Sequence, residues 1–544
     1  MLYFAAFGVA LAMTMALIPP LIRFSGKLQL LDQPSERKVH AGAIPCVGGI
    51  GMVLGVILPI VLWVPLEREI LSLLIGNGIL LFFGVWDDRG DLDYRLKFFG
   101  QILAALVVVG YGGIVIQVVP FFGMDPVSPW FSIPLTVLTI VAVTNSINLA
   151  DGLDGLAAGM MLLTLAGIAL LAYLADGMEV LLIVLAMMGV IVGFLRFNTY
   201  PARIFMGDTG SQFLGFTVVT LLIILTQKTS PVLNPAIPLL LLGVPLFDTV
   251  FVIIKRIYTG KSPFVADKNH IHHQLLALKF DHYEAVILIY LLQALFVGGA
   301  MLLRYHSDLV VVATWALANM TLAFILVVAG HKRWHARQSG SRSFIASAVT
   351  ASRSRYLYLV SAVTVTTCLV LMLLAGPFIT SEVGKDFGIA ASVLFSLLLL
   401  RLLFGYRAWY VSLRLISYVS VAFVLFLLSE YPSDYIRISE VFEYGYFGLV
   451  VLALLIGSRF TVEEAFRVTP MDFLLILVMA GLVFIPQAHI VEDAMIHLAI
   501  KVFVLFYAVE FALRNMKSRW SALTVSMLCA LGVIAVRGLV GDII

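Results

Sequence analysis

The stretch 132–175, SIPLTVLTIVAVTNSINLADGLDGLAAGMMLLTLAGIALLAYLA, decides what kind of molecule this chain can be. Two apolar runs, 132–149 and 155–175, flank a short turn that carries Asp151 and Asp154. Each run is close to the length a helix needs to cross about 30 Å of hydrocarbon. A carboxylate at the middle of a bilayer costs roughly 2.5–3.5 kcal/mol on insertion scales, so both acids belong at a membrane surface or in a wet cavity. The composition of the whole chain agrees. Of 544 residues, 61% are hydrophobic and 12% charged, against about 25% charged in an ordinary soluble domain. Mean hydropathy is +1.04. A soluble fold has too little interior for that much apolar surface, and a disordered chain needs the opposite balance. Cys46, Cys368 and Cys529 lie far apart, which excludes a disulfide scaffold and any cysteine metal spacing. The expected fold is therefore an all-α polytopic membrane protein.

Working outward, spans are expected near 2–22, 46–64, 70–86, 98–119, 132–149, 155–175, 178–196, 209–226, 237–254, 284–304 and 308–329. Seven more follow near 356–375, 387–405, 412–429, 443–458, 470–487, 494–513 and 520–540. The runs 387–405 and 443–458 are the weakest, and a re-entrant reading stays open for them. The first run has no basic residue before it and reads as a retained span rather than a cleaved signal. Alternate loops of the first eleven spans hold twenty lysines and arginines, and the other loops hold only Arg68, Lys228 and Arg304. That bias puts the basic loops in the cytoplasm. Residues 331–355 are basic and serine-rich, so the expected organisation is a membrane module at 1–330, a cytoplasmic linker at 331–355 and a second multi-span module at 356–544. Net charge is only +3, which implies no nucleic-acid partner.

The chemistry is concentrated in the basic loops of the first module. Asp87 and Asp88 are adjacent at a span end, with Asp91, Asp93 and Lys97 after them. Neighbouring carboxylates repel unless a proton or cation intervenes. Such a pair suits Mg²⁺, which takes carboxylate and phosphate oxygens; a solvated helix cap is the plainer reading. Asn145, Asn148, Asp151 and Asp154 are spaced by three, so a helix would align them in one strip. Gly152 and Gly155 equally permit a break there. The twelve-residue pattern of a calcium loop is absent. FMGDTGS (205–211) sets Asp208 before an apolar span, either as a metal ligand or with Thr209 or Ser211 as an ordinary cap. HIHH places His270, His272 and His273 after Asp267. Zinc fits poorly, because the helical i, i+4 pair is missing; cationic or hydrogen-bonding contact with a diphosphate fits better. Arg37, Lys38 and His40 in the first loop read equally as a membrane anchor or as catalytic cations. Each motif has a bland explanation. Their placement on one membrane face points to a single site for a charged cytosolic donor and a lipid acceptor.

The ordered blocks D-x-P-x-x-R-K-x-H (32–40), DD with Lys97 and Gln101, N-x-x-N-L-A-D-G-L-D-G-L-A (145–157), F-M-G-D-x-G-S (205–211) and P-F-x-x-D-x-x-H-x-H-H (263–273) resemble the polyprenyl-phosphate N-acetylhexosamine-1-phosphate transferases. The resemblance covers about 1–330 and leaves 356–544 unexplained. It implies transfer of a sugar 1-phosphate, GlcNAc-1-phosphate above all, from a UDP-N-acetylhexosamine to undecaprenyl phosphate. UMP would be released, as the first membrane step of cell-surface polysaccharide synthesis. It implies Mg²⁺, with Mn²⁺ as a substitute, and the inner membrane of a bacterium with the site on its cytoplasmic face. Asp208 and Asp88 would be the metal ligands. Asp87, Asp88, Lys97, Asp151 and Asp154 would form the catalytic set. Asn145, Asn148, His270, His272 and His273 would bind the donor. A homodimer is compatible with the sequence. The competing class is a flippase or transporter of lipid-linked sugar, but transporters place polar groups near the midplane, whereas these acids gather at one interface.

Overall fold

The computed structural model describes residues 2–33, 42–90, 92–123, 125–260, 269–331, 355–404, 410–432, 440–459, 493–514 and 521–540. Its contacts divide the chain into two compact units, one built on Met1–Ser341 and one on Arg342–Val468 and Leu482–Ile544. The described residues are overwhelmingly helical, and ten of the helices are long and apolar enough to cross a membrane. The fold is an all-α polytopic membrane protein.

The first unit contains α1 (Leu2–Phe24), α2 (Gly48–Trp63), α3 (Arg68–Gly90), α4 (Tyr94–Gly110), α5 (Pro129–Ala150), α6 (Leu156–Leu174) and α7 (Met178–Asn198). It continues with α8 (Gly207–Ile224), α9 (Ile237–Leu241), α10 (Gly243–Tyr258), α11 (Ile271–Ala277), α12 (His282–Leu303) and α13 (Asp308–His331). A two-residue antiparallel ladder joins β1 (Leu31–Asp32) to β2 (Ile44–Pro45) in the first loop. α8 is the axis of the unit: every residue from Thr209 to Ile224 is buried, and α2, α3, α5, α6 and α7 pack around it.

Each of the eleven runs expected in this unit holds helix, with two differences. The run at 98–119 is helical only to Gly110, because glycines follow and Gly113 takes a φ of +65°. The N–H groups beyond it are satisfied by side chains: Ile116 donates to Thr136 Oγ1, and Gln117 and Val118 donate to Gln227 Oε1. The run at 237–254 is split into α9 and α10. Pro245 has no N–H to offer the Leu241 carbonyl four residues back. That carbonyl instead accepts from Gln293 Nε2 at 2.8 Å and Thr164 Oγ1 at 2.9 Å, while Gln293 Oε1 accepts the Val244 N–H. A break at membrane depth persists only when its backbone groups find such partners.

The second unit holds α14 (Arg355–Ile379), α15 (Lys385–Phe404), α16 (Tyr410–Glu430), α17 (Glu440–Arg459), α18 (Asp493–Arg514) and α19 (Ala522–Val540) around its own apolar core. The two weak runs are both helices of 20 residues. Arg537 is buried and donates to the carbonyls of Pro377, Thr380 and Ser381, which satisfies the end of α14. The span expected at 470–487 and most of the linker lie outside the described residues.

Candidate active site

The site forms at one end of the first unit, where α3 and α5 finish and α4, α6, α8 and α11 begin. Asp87 and Asp88 occupy the last turns of α3. Asp93 caps α4 by accepting the Arg95 N–H at 3.0 Å, which puts Lys97 in the first turn of that helix. Asp87 Oδ1 accepts the Leu92 N–H at 2.8 Å and ties the α3–α4 turn together. Lys97 Nζ then lies 3.0 Å from Asp87 Oδ2 and 2.8 Å from Asp208 Oδ1. One ammonium thus bridges two half-buried carboxylates from different helices.

Asp88 turns to the start of α8. It accepts the Asp208 N–H at 2.7 Å, the Thr209 N–H at 3.2 Å and the Thr209 hydroxyl at 2.7 Å. The first N–H groups of a helix have no partner within it, and an anion there also meets the positive end of the helix dipole. The cap of α8 therefore comes from α3 rather than from Thr209 or Ser211. Gly207 makes this possible. Its φ is +67°, and a β-carbon there would collide with the Asp88 carboxylate. Asn148, from α5, donates to Asp208 Oδ1 and to Ser211 Oγ. Asn145 stands one turn earlier and pairs with Gln101, which reaches Gln212 at 3.2 Å. This expected donor-binding residue belongs to a buried amide cluster behind the carboxylates.

The polar strip expected across 145–154 stops with α5 at Ala150. Asp151 has φ −81° and ψ 69°, outside the helix, and Gly155 takes φ +78°. Burial raises the Asp151 carboxyl to about 7, and the negative charges of Asp208, Asp154 and Asp88 add to the effect. Asp151 is thus within electrostatic reach of the α3 and α8 acids. Asp154 does a different job: its Oδ2 accepts the Ala202 N–H at 2.9 Å, and its own N–H donates to His282 Nε2 at 3.2 Å. Asn198 Oδ1 and the Tyr290 hydroxyl hold the N–H and C=O of Gly155. The 151–155 turn is braced on all sides.

The histidines approach the same turn. A β-carbon on Gly152 would run into the His272 ring, so that glycine lets the two blocks touch. Burial, then the charges of His273 and His270, push His272 down to about 3. It is neutral near pH 7, and among the described residues its buried Nδ1 has no hydrogen-bond partner. His273 packs against it with ring centroids 4.3 Å apart. His270 is buried against Asp248 of α10, with Nδ1 2.8 Å from Oδ2. The sequence reading passed over Asp248; the available signal was one acid inside the apolar run 237–254. It also passed over His282, which stacks on Tyr200 at 4.3 Å. Arg37, Lys38, His40, Asp91 and Asp267 lie outside the described residues.

Among the described residues, Lys97 thus pairs with Asp87 and Asp208, while Asp88 caps α8 beside them and Asp151 lies within electrostatic reach. The excess negative charge suits a cation. Among the described residues no three acidic, histidine or cysteine side chains form a metal cage by themselves. That arrangement fits a hard ion that takes one or two carboxylates and completes its shell with water and substrate phosphate. Asp208 and Asp87, now sharing Lys97, could hold such an ion together, as could the expected pair Asp208 and Asp88. Asp88, expected as a ligand, already carries three hydrogen bonds to α8.

Comparison with known proteins gives a consistent picture. The profile of glycosyl transferase family 4 matches residues 70–226. The chain is 38% identical over 325 residues to the probable undecaprenyl-phosphate N-acetylglucosaminyl 1-phosphate transferase of Bacillus subtilis, covering 59% of this chain and 88% of that protein. It is 31% identical over 312 residues to the undecaprenyl-phosphate alpha-N-acetylglucosaminyl 1-phosphate transferase of Yersinia pestis, covering 55% and 83%. The enzyme of that name from Escherichia coli K12 is 31% identical over 311 residues, with the same coverage of 55% and 83%.

Proposed function

The chain belongs to glycosyl transferase family 4, and from that premise we propose that it transfers GlcNAc-1-phosphate from UDP-GlcNAc to undecaprenyl phosphate and releases UMP. The observation that carries this reading is the meeting of Asp87, Lys97 and Asp208, from three helices, at the end of the bundle where Asp151 and the histidines also converge. The relatives' names supply the acceptor and the transferred sugar phosphate. The bias of basic loops supports a site on the cytoplasmic face of a bacterial inner membrane.

Phosphoryl transfer between two anions is a matter of positioning and charge neutralisation. Asp208 and Asp87 would hold Mg²⁺, or Mn²⁺ in its place, which would supply charge neutralisation on the donor diphosphate. Lys97, held between those carboxylates, would meet a phosphate oxygen of the substrates. Asp88 holds the α8 N-terminus so that Asp208 keeps its place, and Asn148 fixes the Asp208 carboxylate. His272, neutral and unsatisfied, offers a hydrogen bond to the donor. The acceptor phosphate is already a competent nucleophile near neutral pH, so a direct displacement needs no strong base.

The test is UMP release by the detergent-purified full chain with UDP-GlcNAc, and the mass of the lipid product. Release is expected only with undecaprenyl phosphate present, and is lost with a chelator and restored by Mg²⁺. Asp88→Asn and Asp208→Asn are each expected to lower turnover about 10²–10³-fold, the usual loss when a charge-positioning group leaves a reaction centre. Full activity in Asp208→Asn, or transfer that ignores chelation, would overturn the assignment.

A further inference from the structure

Asp248 is 2% exposed and lies in the second turn of α10, within an apolar run. A buried carboxylate at such depth is costly unless it is paired. Both oxygens are engaged by the histidine block 22 residues on. Oδ2 lies 2.8 Å from His270 Nδ1, and Oδ1 accepts the Ile271 N–H at 2.7 Å. The second bond also caps α11. His270 is itself 5% exposed, and its ring stacks parallel to His272 at 5.8 Å. His272 in turn lies against Gly152 beside Asp151. A chain of contacts therefore runs from Asp248 through His270 and His272 to the turn that carries Asp151.

We propose that Asp248 is a positioning residue for the transfer reaction: its carboxylate holds the His270 ring in one orientation with the proton on Nδ1, so that Nε2 is the nitrogen that meets the sugar-nucleotide donor. This rests on the function proposed above. The ring nitrogen facing a ligand is set by the bond the other nitrogen makes. A carboxylate behind the ring permits only N–H at Nδ1, which leaves Nε2 as an acceptor for a hydroxyl or N–H of the donor. Asp248→Asn separates these roles from folding. The amide oxygen can still accept the Ile271 N–H, so α11 keeps its cap. The amide nitrogen, a donor, then faces Nδ1, which forces the proton to Nε2 and takes the acceptor away from the donor's side of the ring.

The test uses the purified full chain with UDP-GlcNAc and undecaprenyl phosphate. Asp248→Asn should raise the donor KM and lower kcat/KM for the donor about 10–100-fold, by analogy with the loss seen when the carboxylate behind a metal-liganding histidine is removed. The acceptor KM should stay unchanged. His270→Ala should show the same pattern, and the double variant should be no worse than His270→Ala alone. His270→Asn places an amide N–H where Nδ1 was, keeps the bond to Asp248 and lacks Nε2; it should fold and still show the donor defect. Losses that multiply in the double variant, or donor and acceptor KM rising together, would overturn the proposal. Nitrogen-15 spectra of histidine-labelled protein give a readout independent of turnover. The His270 signal, assigned by its loss in His270→Ala, should report a protonated Nδ1 in the parent and a protonated Nε2 in Asp248→Asn. If the parent transfers nothing, the function fails while these spectra still decide the pairing; an unchanged tautomer in Asp248→Asn overturns the positioning role.

Discussion

At the scale of residues, Lys97 has the most unusual duty, because one ammonium balances Asp87 and Asp208 together. Replacing it with methionine keeps the stem and removes the charge. Lys97→Met should lower turnover about 10²-fold or more and should also raise the Mg²⁺ concentration dependence of what remains, measured by UMP release across a metal titration. Asp151 makes a separate prediction for metal-free protein. Its folded carboxyl titrates at about 7 against an ordinary 3.8. Between those values the folded state holds a proton that the unfolded chain has lost, so the contribution of Asp151 to stability declines as pH rises through that window. Melting temperatures at pH 5 and pH 8 in chelator should therefore differ more in the parent than in Asp151→Asn; equal differences would remove Asp151 as the source. The acids at span ends were legible in the sequence because charge beside hydrocarbon stands out. Asp248 was not, since nothing in a linear reading pairs an acid in one run with a histidine 22 positions later. The division of labour inside the DGLDG turn was hidden for a similar reason: Asp154 is set by partners at 202 and 282, far away in sequence.

At the scale of elements, the α8 N-terminus depends on Gly207 and Asp88 acting together. Gly207→Ala forces a side chain into a left-handed backbone position, which costs about 1–2 kcal/mol, and pushes against the capping carboxylate. Turnover should fall more steeply than thermal stability, and a variant that loses stability alone would show that the cap is not coupled to the site. Run length made the helices legible, because hydrocarbon thickness sets a narrow range of spans. The split between α9 and α10 was less so. Pro245 was visible, yet whether a proline kinks or breaks a membrane helix depends on what pairs with the orphaned groups, and that is Gln293 on α12 together with Thr164 on α6. Gln293→Leu should destabilise the unit by about 1–2 kcal/mol, the strength of a good hydrogen bond between membrane helices, as read from melting in detergent.

At the scale of the whole molecule, every residue of the proposed chemistry lies in the first unit, and the Bacillus subtilis relative aligns over 59% of the chain. A chain ended after Ser341 should therefore retain most of its transfer activity in detergent, assayed beside the full chain at equal protein. Loss of activity with intact folding would assign the second unit a part in the reaction. Finally, α8 never borders lipid, and each helix that walls it, from α2 to α7, precedes it along the chain. A ribosome working from the N-terminus would finish the socket before making the peg. Nascent protein halted short of residue 207 would then expose a furrow flanked by Gln101 and Asn145, a species that quality-control proteases could recognise and that no finished copy displays.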